Sequence, residues 1–116
     1  GLATGNRETG ARIRLERGGL NRFFPFGGFA SDSEDRAEIV RIAMLRGKTY
    51  AVEAFCLNDT VVIGDTPKDI DAGRAAGARV VAVASGTYDV EALRACSPDV
   101  VVKSLSPVSE WLSSLK

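Results

Sequence analysis

Histidine is absent from the 116-residue sequence, and cysteine occurs only at Cys56 and Cys96, which are too far apart to form a Cys-x-x-Cys pair. These absences exclude a zinc site built from cysteine and histidine, and they exclude catalysis that uses an imidazole. Two isolated cysteines favour a reducing compartment. We therefore expect a cytoplasmic protein in which both thiols have packing roles.

An excess of either charge is also missing, because 15 basic residues balance 15 acidic ones. No apolar run approaches the roughly 20 residues that a transmembrane helix needs. Neither nucleic acid nor a membrane is therefore expected as a partner. The apolar content of 45% and the charged content of 26% are typical of a globular protein, and the length allows one domain at most.

Short apolar runs alternate with helical patterns along the whole chain. The runs are rich in β-branched residues, which favours strands buried on both faces, as in a parallel sheet. This alternation predicts a three-layer α/β/α, Rossmann-like parallel sheet with helices on both faces. We predict strands at residues 2–3, 26–30, 61–63, 79–85 and 100–102, and helices over residues 6–17, 31–46, 69–77, 89–95 and 107–115, with a loop over residues 48–59.

The most informative stretch is residues 60–77, TVVIGDTPKDIDAGRAAG. Its strand stops at Gly64 and delivers Asp65 to the carboxyl end, where open α/β sheets bind ligands. Asp69 then opens a helix rich in alanine and glycine. Two carboxylates four residues apart form an oxygen-rich site that suits Mg²⁺. Two structural interpretations stay open, in which Asp69 is only a helix N-cap and Asp65 only a turn residue.

A second helix start lies at residues 31–36, SDSEDR. Ser31 and Glu34 fit a capping box, and Gly47 is expected to end the helix. Arg36 falls in the first turn, where a cation is unfavourable beside the helix dipole. A bound phosphate or a nearby carboxylate would explain this cation, and a solvent-facing arginine is the alternative. Just before this helix, four phenylalanines are expected to fill the core at a sheet end, with ligand stacking as the alternative: Phe23, Phe24, Phe26 and Phe29.

The GDTPKD segment after a VVI strand, followed by an AGRAAGA helix, resembles the fourth motif of the haloacid dehalogenase (HAD) superfamily of hydrolases. The order of the other signals is similar to its phosphatase branch, which includes phosphoglycolate phosphatase-like enzymes. The resemblance implies a HAD-like fold. It also implies Mg²⁺-dependent hydrolysis of small phosphorylated metabolites through an aspartyl-phosphate intermediate. In the family's first motif, one aspartate attacks phosphorus and an acid two residues later protonates the leaving group.

Thr4, within LATGN, matches the second motif of the family. The resemblance implies that its hydroxyl and the backbone N–H groups of Gly5 and Asn6 hold phosphate oxygens at a helix N-terminus. Thr4 as a plain helix N-cap is the structural alternative.

Arg36, within SEDRAEIV, matches the third motif, which supplies a cation near a helix start. Lys48 is a weaker candidate for the same role, because it is predicted to follow the helix. Asp65 and Asp69 match the fourth motif. The resemblance implies that Asp65 binds Mg²⁺ and that Asp69 binds it directly or through a water.

The first motif, a DxD pair followed by Gly-Thr, does not occur in these residues; the DxD that is present, at residues 69–71, belongs to the fourth motif. The resemblance implies that the nucleophile strand and the cap domain precede Gly1. Residues 1–116 would then be a partial HAD-like core domain, inactive alone, carrying the second to fourth motifs. Its sheet would be incomplete, and a second copy or a complementary segment should cover the open strand edges.

Two other functions are alternatives to a phosphatase. A catalytically inactive HAD-like binding or interaction module would bind phosphate or Mg²⁺ weakly without turnover. A nucleotide-binding Rossmann-like domain is disfavoured, because neither a GxGxxG segment after a strand nor a Walker A lysine motif is present.

Overall fold

In the computed structural model, which describes residues 1–51 and 55–115, the chain divides into two compact units, Gly1–Phe55 and Cys56–Lys116. Each unit contains parallel strands that alternate with helices. The predicted α/β fold class with parallel pairing is therefore confirmed. Across the described ranges, every helix is too short or too polar to cross a bilayer.

The first unit is built on two short parallel strands, β1 (Leu2–Ala3) and β2 (Gly27–Gly28), with Leu2 opposite Gly27 and Ala3 opposite Gly28. Helix α1 (Glu8–Arg17) and a 3-10 turn (Asn21–Phe23) join the two strands. Helix α2 (Arg36–Tyr50) follows β2.

The two glycines of β2 allow its backbone to approach its neighbours closely. A β-carbon on Gly28 would collide with the carbonyl oxygen of Ile39, so the strand lies directly against the backbone of α2. A β-carbon on Gly27 would lie 2.9 Å from the Leu2 carbonyl oxygen. Glycine is therefore required here, because even the methyl group of alanine would collide with backbone atoms. The core of this unit consists of buried apolar side chains from α1, α2 and the residue after β2: Ala11, Phe29, Ile39, Val40, Ala43 and Met44.

The second unit contains a three-stranded parallel sheet in the order β3 (Val61–Gly64), β4 (Arg79–Val83) and β5 (Val100–Val102). Each strand is followed by a helix. The helices are α3 (Pro67–Ala75), α4 (Val90–Arg94) and α5 (Val108–Leu112), with 3-10 turns at Leu57–Asp59 and Ser113–Leu115.

Alternating side chains of β4 enter two separate cores. On one face, Val80 packs with Ile70 of α3 and Leu93 of α4. On the other, Val81 packs with Trp111 of α5 and Leu115 of the last 3-10 turn. Helices therefore cover both faces of this sheet, which gives the second unit the predicted three-layer arrangement.

The prediction that residues 61–63 are buried on both faces is wrong for Ile63, which is 47% exposed. The reason is its place in the sheet, because β3 pairs only with β4 among the described residues and so lies at an edge. Full burial is instead found in the middle strand, where Val80, Val81 and Ala82 are 0% exposed.

The predicted start of α2 is also wrong. The helix begins at Arg36, and Asp35 is its N-cap, with Oδ1 accepting a hydrogen bond from the Ala37 N–H at 3.1 Å. Ser31 and Glu34 do not form a capping box on this helix. The Ser31 hydroxyl instead accepts a hydrogen bond from the Glu8 N–H at 3.2 Å, at the start of α1.

Gly47 does not end α2 as predicted, but lies buried inside the helix. A glycine is suited to this place because a β-carbon would come within 3.1 Å of the ring of Phe26. Lys48 therefore belongs to the last turn of the helix and does not follow it. The loop predicted over residues 48–59 is helical through Tyr50, and residues 52–54 lie outside the described ranges.

The phenylalanine cluster divides between core and surface. Phe29 is 1% exposed and lies in the core, as predicted for the group. Phe23 is 60% exposed, so the core assignment is wrong there, because the 3-10 turn carries its ring outward beside the guanidinium of Arg22 at 4.8 Å.

Candidate active site

The loop of residues 4–6, between β1 and α1, is fixed by three hydrogen bonds. The Thr4 N–H donates to the Gly28 carbonyl at 3.1 Å, which extends the pairing of β1 with β2. The Asn6 N–H donates to Thr4 Oγ1 at 3.1 Å, and the Ala30 N–H donates to the Asn6 carbonyl at 3.0 Å. Because the Thr4 oxygen accepts from Asn6, the Thr4 hydroxyl proton remains available to donate to a ligand.

Arg36 lies against this loop. Its Nη1 is 3.4 Å and its Cζ 3.8 Å from the position that a β-carbon on Gly5 would occupy. Helix α2 begins at Arg36 itself, so the guanidinium projects from the helix start toward the loop. The structure thus places the predicted residues Thr4, Gly5, Asn6 and Arg36 in the first unit, with Arg36 beside Gly5. The Asn6 N–H, predicted to hold phosphate, is instead bonded to Thr4 Oγ1.

Thr4 as an ordinary N-cap is not what the structure shows. The N-cap position of α1 belongs to Arg7, whose side chain makes no capping hydrogen bond. The Glu8 N–H is satisfied by Ser31. Thr4 instead stabilises the loop through its bond from Asn6.

The segment that leads into Arg36 is held by an ion pair between Asp32 and Arg46. Arg46 donates from Nη1 to Asp32 Oδ2 at 2.7 Å and from Nη2 to Oδ1 at 2.8 Å, and it also donates to the Gly27 carbonyl at 2.7 Å. Asp32 Oδ2 accepts a further bond from the Phe29 N–H at 3.0 Å. The hydrogen bond from Arg46 holds the pKa of Asp32 below its usual value, and the pKa of Arg46 is raised by the same bond.

Lys48, the second candidate for the third-motif cation, lies in the last turn of α2. It follows Arg36 by 12 residues, which corresponds to about 18 Å along a helix axis. The two cations therefore occupy opposite ends of the helix, and Arg36 is at the end that lies beside Gly5.

The two acidic candidates lie together in the second unit. Thr66, not Asp69, is the N-cap of α3, and Asp69 is the third helical residue of a capping box, in which the Asp69 N–H donates to Thr66 Oγ1 at 3.3 Å. Asp69 Oδ2 accepts hydrogen bonds from the Asp65 N–H at 3.2 Å, the Thr66 N–H at 3.1 Å and Thr66 Oγ1 at 2.9 Å. Asp69 therefore fixes the backbone that carries Asp65.

The Asp65 carboxylate is the exposed member of the pair. It follows β3 and lies against the backbone at Gly86, where a β-carbon would be 2.6 Å from Asp65 Oδ2. Gly64 plays a similar part for the other acid, because a β-carbon there would be 2.7 Å from both Cγ and Oδ2 of Asp69. Two glycines thus make the space that the two carboxylates occupy.

These donors fit Mg²⁺ as a partial ligand set. Asp65 presents a carboxylate to solvent in a cradle that a side chain on Gly86 would fill. Mg²⁺ is usually held by one or two carboxylates, several waters and substrate phosphate oxygens. Among the described residues no group of three acidic, cysteine or histidine side chains could hold a metal ion, so Asp65 and Asp69 would supply at most two ligands.

Sequence reasoning missed the residues that support the site. Thr66 stands before Pro67 and three residues before Asp69, a spacing that would have identified the capping box. The contacts of Ser31 with Glu8, Asp32 with Arg46 and Gly86 with Asp65 join positions 14 to 23 residues apart. No local pattern in the sequence marks them.

Comparison with solved structures shows the fold. A candidate phosphatase from Clostridium difficile superposes with a TM-score of 0.80 at 16% identity, covering 95% of this chain and 50% of its own. A predicted phosphatase from Clostridium acetobutylicum superposes with a TM-score of 0.79 at 18% identity, covering 96% of this chain and 50% of its own. A haloacid dehalogenase-like family hydrolase from Streptococcus pneumoniae superposes with a TM-score of 0.77 at 20% identity, covering 95% of this chain and 50% of its own. The chain thus spans about half the length of these proteins.

None of the curated proteins compared with the sequence matches it. The family profile described as HAD-hydrolase-like matches residues 37–108, which is more than half of the chain. The matched region contains the loop and helix that carry Asp65 and Asp69. The chain belongs to the HAD-hydrolase-like family.

Proposed function

We propose that the complete protein containing this chain is a Mg²⁺-dependent phosphatase that hydrolyses small phosphorylated metabolites. The observation that carries the proposal is the position of the Arg36 guanidinium next to Gly5, the residue that follows Thr4. A fixed cation next to the exposed backbone of Gly5 is suited to a phosphate group. The solved phosphatases with the same fold support the same reaction class.

The residues of the first unit would bind the phosphoryl group. Arg36 would donate to phosphate oxygens, and the Thr4 hydroxyl would donate beside it. The exposed backbone of Gly5 allows both groups to approach one ligand, because no side chain separates them. These donors would stabilise the charge that spreads over the phosphoryl oxygens in the transition state.

Asp65 would hold Mg²⁺, and Asp69 would position Asp65 or bind the ion through a water. When bound, Mg²⁺ would neutralise negative charge on the phosphoryl group. The three hydrogen bonds into Asp69 Oδ2 support a positioning role, because they occupy that oxygen and fix the loop between Gly64 and Pro67.

The nucleophile would be an aspartate outside these 116 residues, as the family's first motif implies. Its carboxylate oxygen would form a bond to phosphorus while the ester P–O bond breaks, and a neighbouring acid would give a proton to the leaving alkoxide. Water would then attack the aspartyl-phosphate, release inorganic phosphate and restore the carboxylate. Arg36 and Thr4 would bind the transferring oxygens in both steps.

The test is hydrolysis of p-nitrophenyl phosphate by the complete protein with Mg²⁺ and with excess chelator. We expect turnover only with the metal ion, and we expect Asp65→Asn to lower kcat/KM by about 1000-fold, or about 4 kcal/mol. Asp71→Asn is the matched control, because Asp71 is an exposed acid on the same helix and should retain wild-type activity. Full activity in chelator would contradict the proposal.

An inactive binding module is the second candidate, since the first motif is not among these residues. It predicts no turnover with any phosphoester, while phosphate or Mg²⁺ still binds and Arg36→Gln or Asp65→Asn weakens that binding. Measurable Mg²⁺-dependent turnover by the complete protein would exclude it.

A further inference from the structure

Gly86 lies on the segment between β4 and α4, far in sequence from the loop that carries Asp65. A β-carbon on Gly86 would be 2.6 Å from Asp65 Oδ2 and 3.5 Å from its Cγ. The first distance is shorter than van der Waals contact, and the second is ordinary contact. The Asp65 carboxylate therefore lies over bare backbone at this residue.

The backbone of Gly86 does not itself demand glycine. The glycines with positive φ in the described residues are Gly19 and Gly77, and Gly86 is not among them. An alanine could adopt its conformation. What the position lacks room for is a side chain, and the atom that fills that room is a carboxylate oxygen of the proposed metal ligand.

A side chain at this position would displace the carboxylate and leave the fold intact. The collision involves the terminal oxygen of Asp65, and this side chain is exposed and can rotate toward solvent. By contrast, a β-carbon on Gly73 would lie 2.7 Å from a methyl group of the fully buried Val80. Relief there would disturb the core.

We propose that Gly86 is a positioning residue for Asp65, whose missing side chain holds the carboxylate in the orientation that binds Mg²⁺. This rests on the proposed function, because it assumes that Asp65 is a ligand. Side chains that orient metal ligands typically change metal affinity by about 10- to 100-fold when they are altered. Gly86 would orient its ligand, Asp65, by leaving the space that the Asp65 carboxylate occupies.

The experiment is a titration of the complete protein with MgCl₂, followed by backbone amide chemical shifts, for wild type, Gly86→Ala and Asp65→Asn. We expect Gly86→Ala to weaken Mg²⁺ binding about 10-fold and to shift the thermal midpoint by less than about 3 °C. Gly10→Ala is the matched control, because a β-carbon on Gly10 meets nothing within 4 Å. It should bind Mg²⁺ as the wild type does.

The double variant Gly86→Ala with Asp65→Asn should bind no more weakly than Asp65→Asn alone, since Gly86 acts through Asp65. A crystal structure of Gly86→Ala should show Asp65 rotated with the backbone unchanged. Wild-type affinity in Gly86→Ala, with affinity lost in Asp65→Asn, would overturn this inference and leave the proposed function standing. Collapse of the thermal midpoint in Gly86→Ala would also overturn it.

Two other results would contradict the proposed function itself. If the wild type binds no Mg²⁺, or if Asp65→Asn binds it as well as the wild type, then Asp65 is not the ligand. The proposed metal site and the role of Gly86 would then both be wrong.

Discussion

The guanidinium of Arg36 lies on the side of Gly5 where a side chain would project, with Nη1 3.4 Å from the position of an absent β-carbon. The two residues are 31 positions apart and come from a helix start and a loop after a strand. Because β1 pairs with β2, and α2 packs against β2, the elements of the first unit are sufficient to place the two residues side by side. A cation beside the exposed backbone of Gly5 is therefore a built feature of this unit.

The role of Arg36 can be tested by charge removal. We expect Arg36→Gln in the complete protein to lower kcat/KM for p-nitrophenyl phosphate about 100-fold, or about 2.7 kcal/mol, because a charged donor to the phosphoryl oxygens is lost. Lys48→Gln removes the same charge from the far end of α2 and should change kcat/KM by less than about twofold. Steady-state kinetics measure both, and equal effects would contradict the assignment.

Substitutions of Thr4 can distinguish a role of its hydroxyl as a hydrogen-bond donor from a role of its side-chain volume. We expect Thr4→Val, which keeps the shape and removes the hydroxyl, to lower kcat about 100-fold. Thr4→Ser keeps the hydroxyl and the bond from the Asn6 N–H, so it should retain most of the activity. If valine and serine variants have the same kcat, the hydroxyl does not contact the reacting phosphoryl group.

The capping box of α3 should contribute to stability as well as to the site. Thr66→Ala removes the N-cap acceptor and one donor to Asp69, so we expect the free energy of unfolding to fall by about 1 kcal/mol. Thr66→Ser keeps both hydrogen bonds and should be nearly neutral. Urea unfolding at neutral pH measures the difference, and an unchanged midpoint in Thr66→Ala would show that the box is not needed.

The Asp32 and Arg46 pair gives stability a defined pH dependence. The pKa of Asp32 is lowered in the folded state by the hydrogen bond from Arg46, so its ionised form is favoured by folding. This contribution is fully present above the unfolded-state pKa of about 3.9 and is lost as the pH falls through the lower folded-state pKa. We expect Asp32→Asn to be less stable than wild type at neutral pH.

The measurement for this pair is the urea midpoint of both proteins as a function of pH. The gap between wild type and Asp32→Asn should close as the pH drops below about 3.9, because a protonated Asp32 is uncharged, as is the amide side chain of the variant. A gap that stays constant over this range would mean that the ion pair adds no pH-dependent stability.

The order of strands and helices could be predicted from the sequence, because a short β-branched run such as Val100–Val102 strongly favours a strand over a helix or a loop. The sequence was insufficient for helix ends. Asp35 and Ser31 are both good capping residues, and the choice between them was made by contacts of Ser31 with α1 and of Asp32 with Arg46. Those contacts are tertiary, and no local propensity contains them.

The exposure of Ile63 shows a second limit. Its apolar run is like that of β4, yet its place at the sheet edge leaves it 47% exposed while β4 is enclosed. The apolar composition of a run indicates that the strand can be buried, whereas the order of strands in the sheet decides whether it is buried. For the site, the motif spacing identified Asp65 and Asp69, and only the structure showed that Asp69 supports the backbone of Asp65.

The collision that a β-carbon on Gly28 would make with the Ile39 carbonyl has a consequence for motion. Ile39 lies one turn after Arg36, so the helix is pressed against β2 close to the end that carries the guanidinium. A helix in backbone contact with a strand can neither slide along it nor roll without opening a gap. If Arg36 binds phosphate as proposed, its adjustment to that ligand would come from rotation about its own side-chain bonds rather than from movement of the helix.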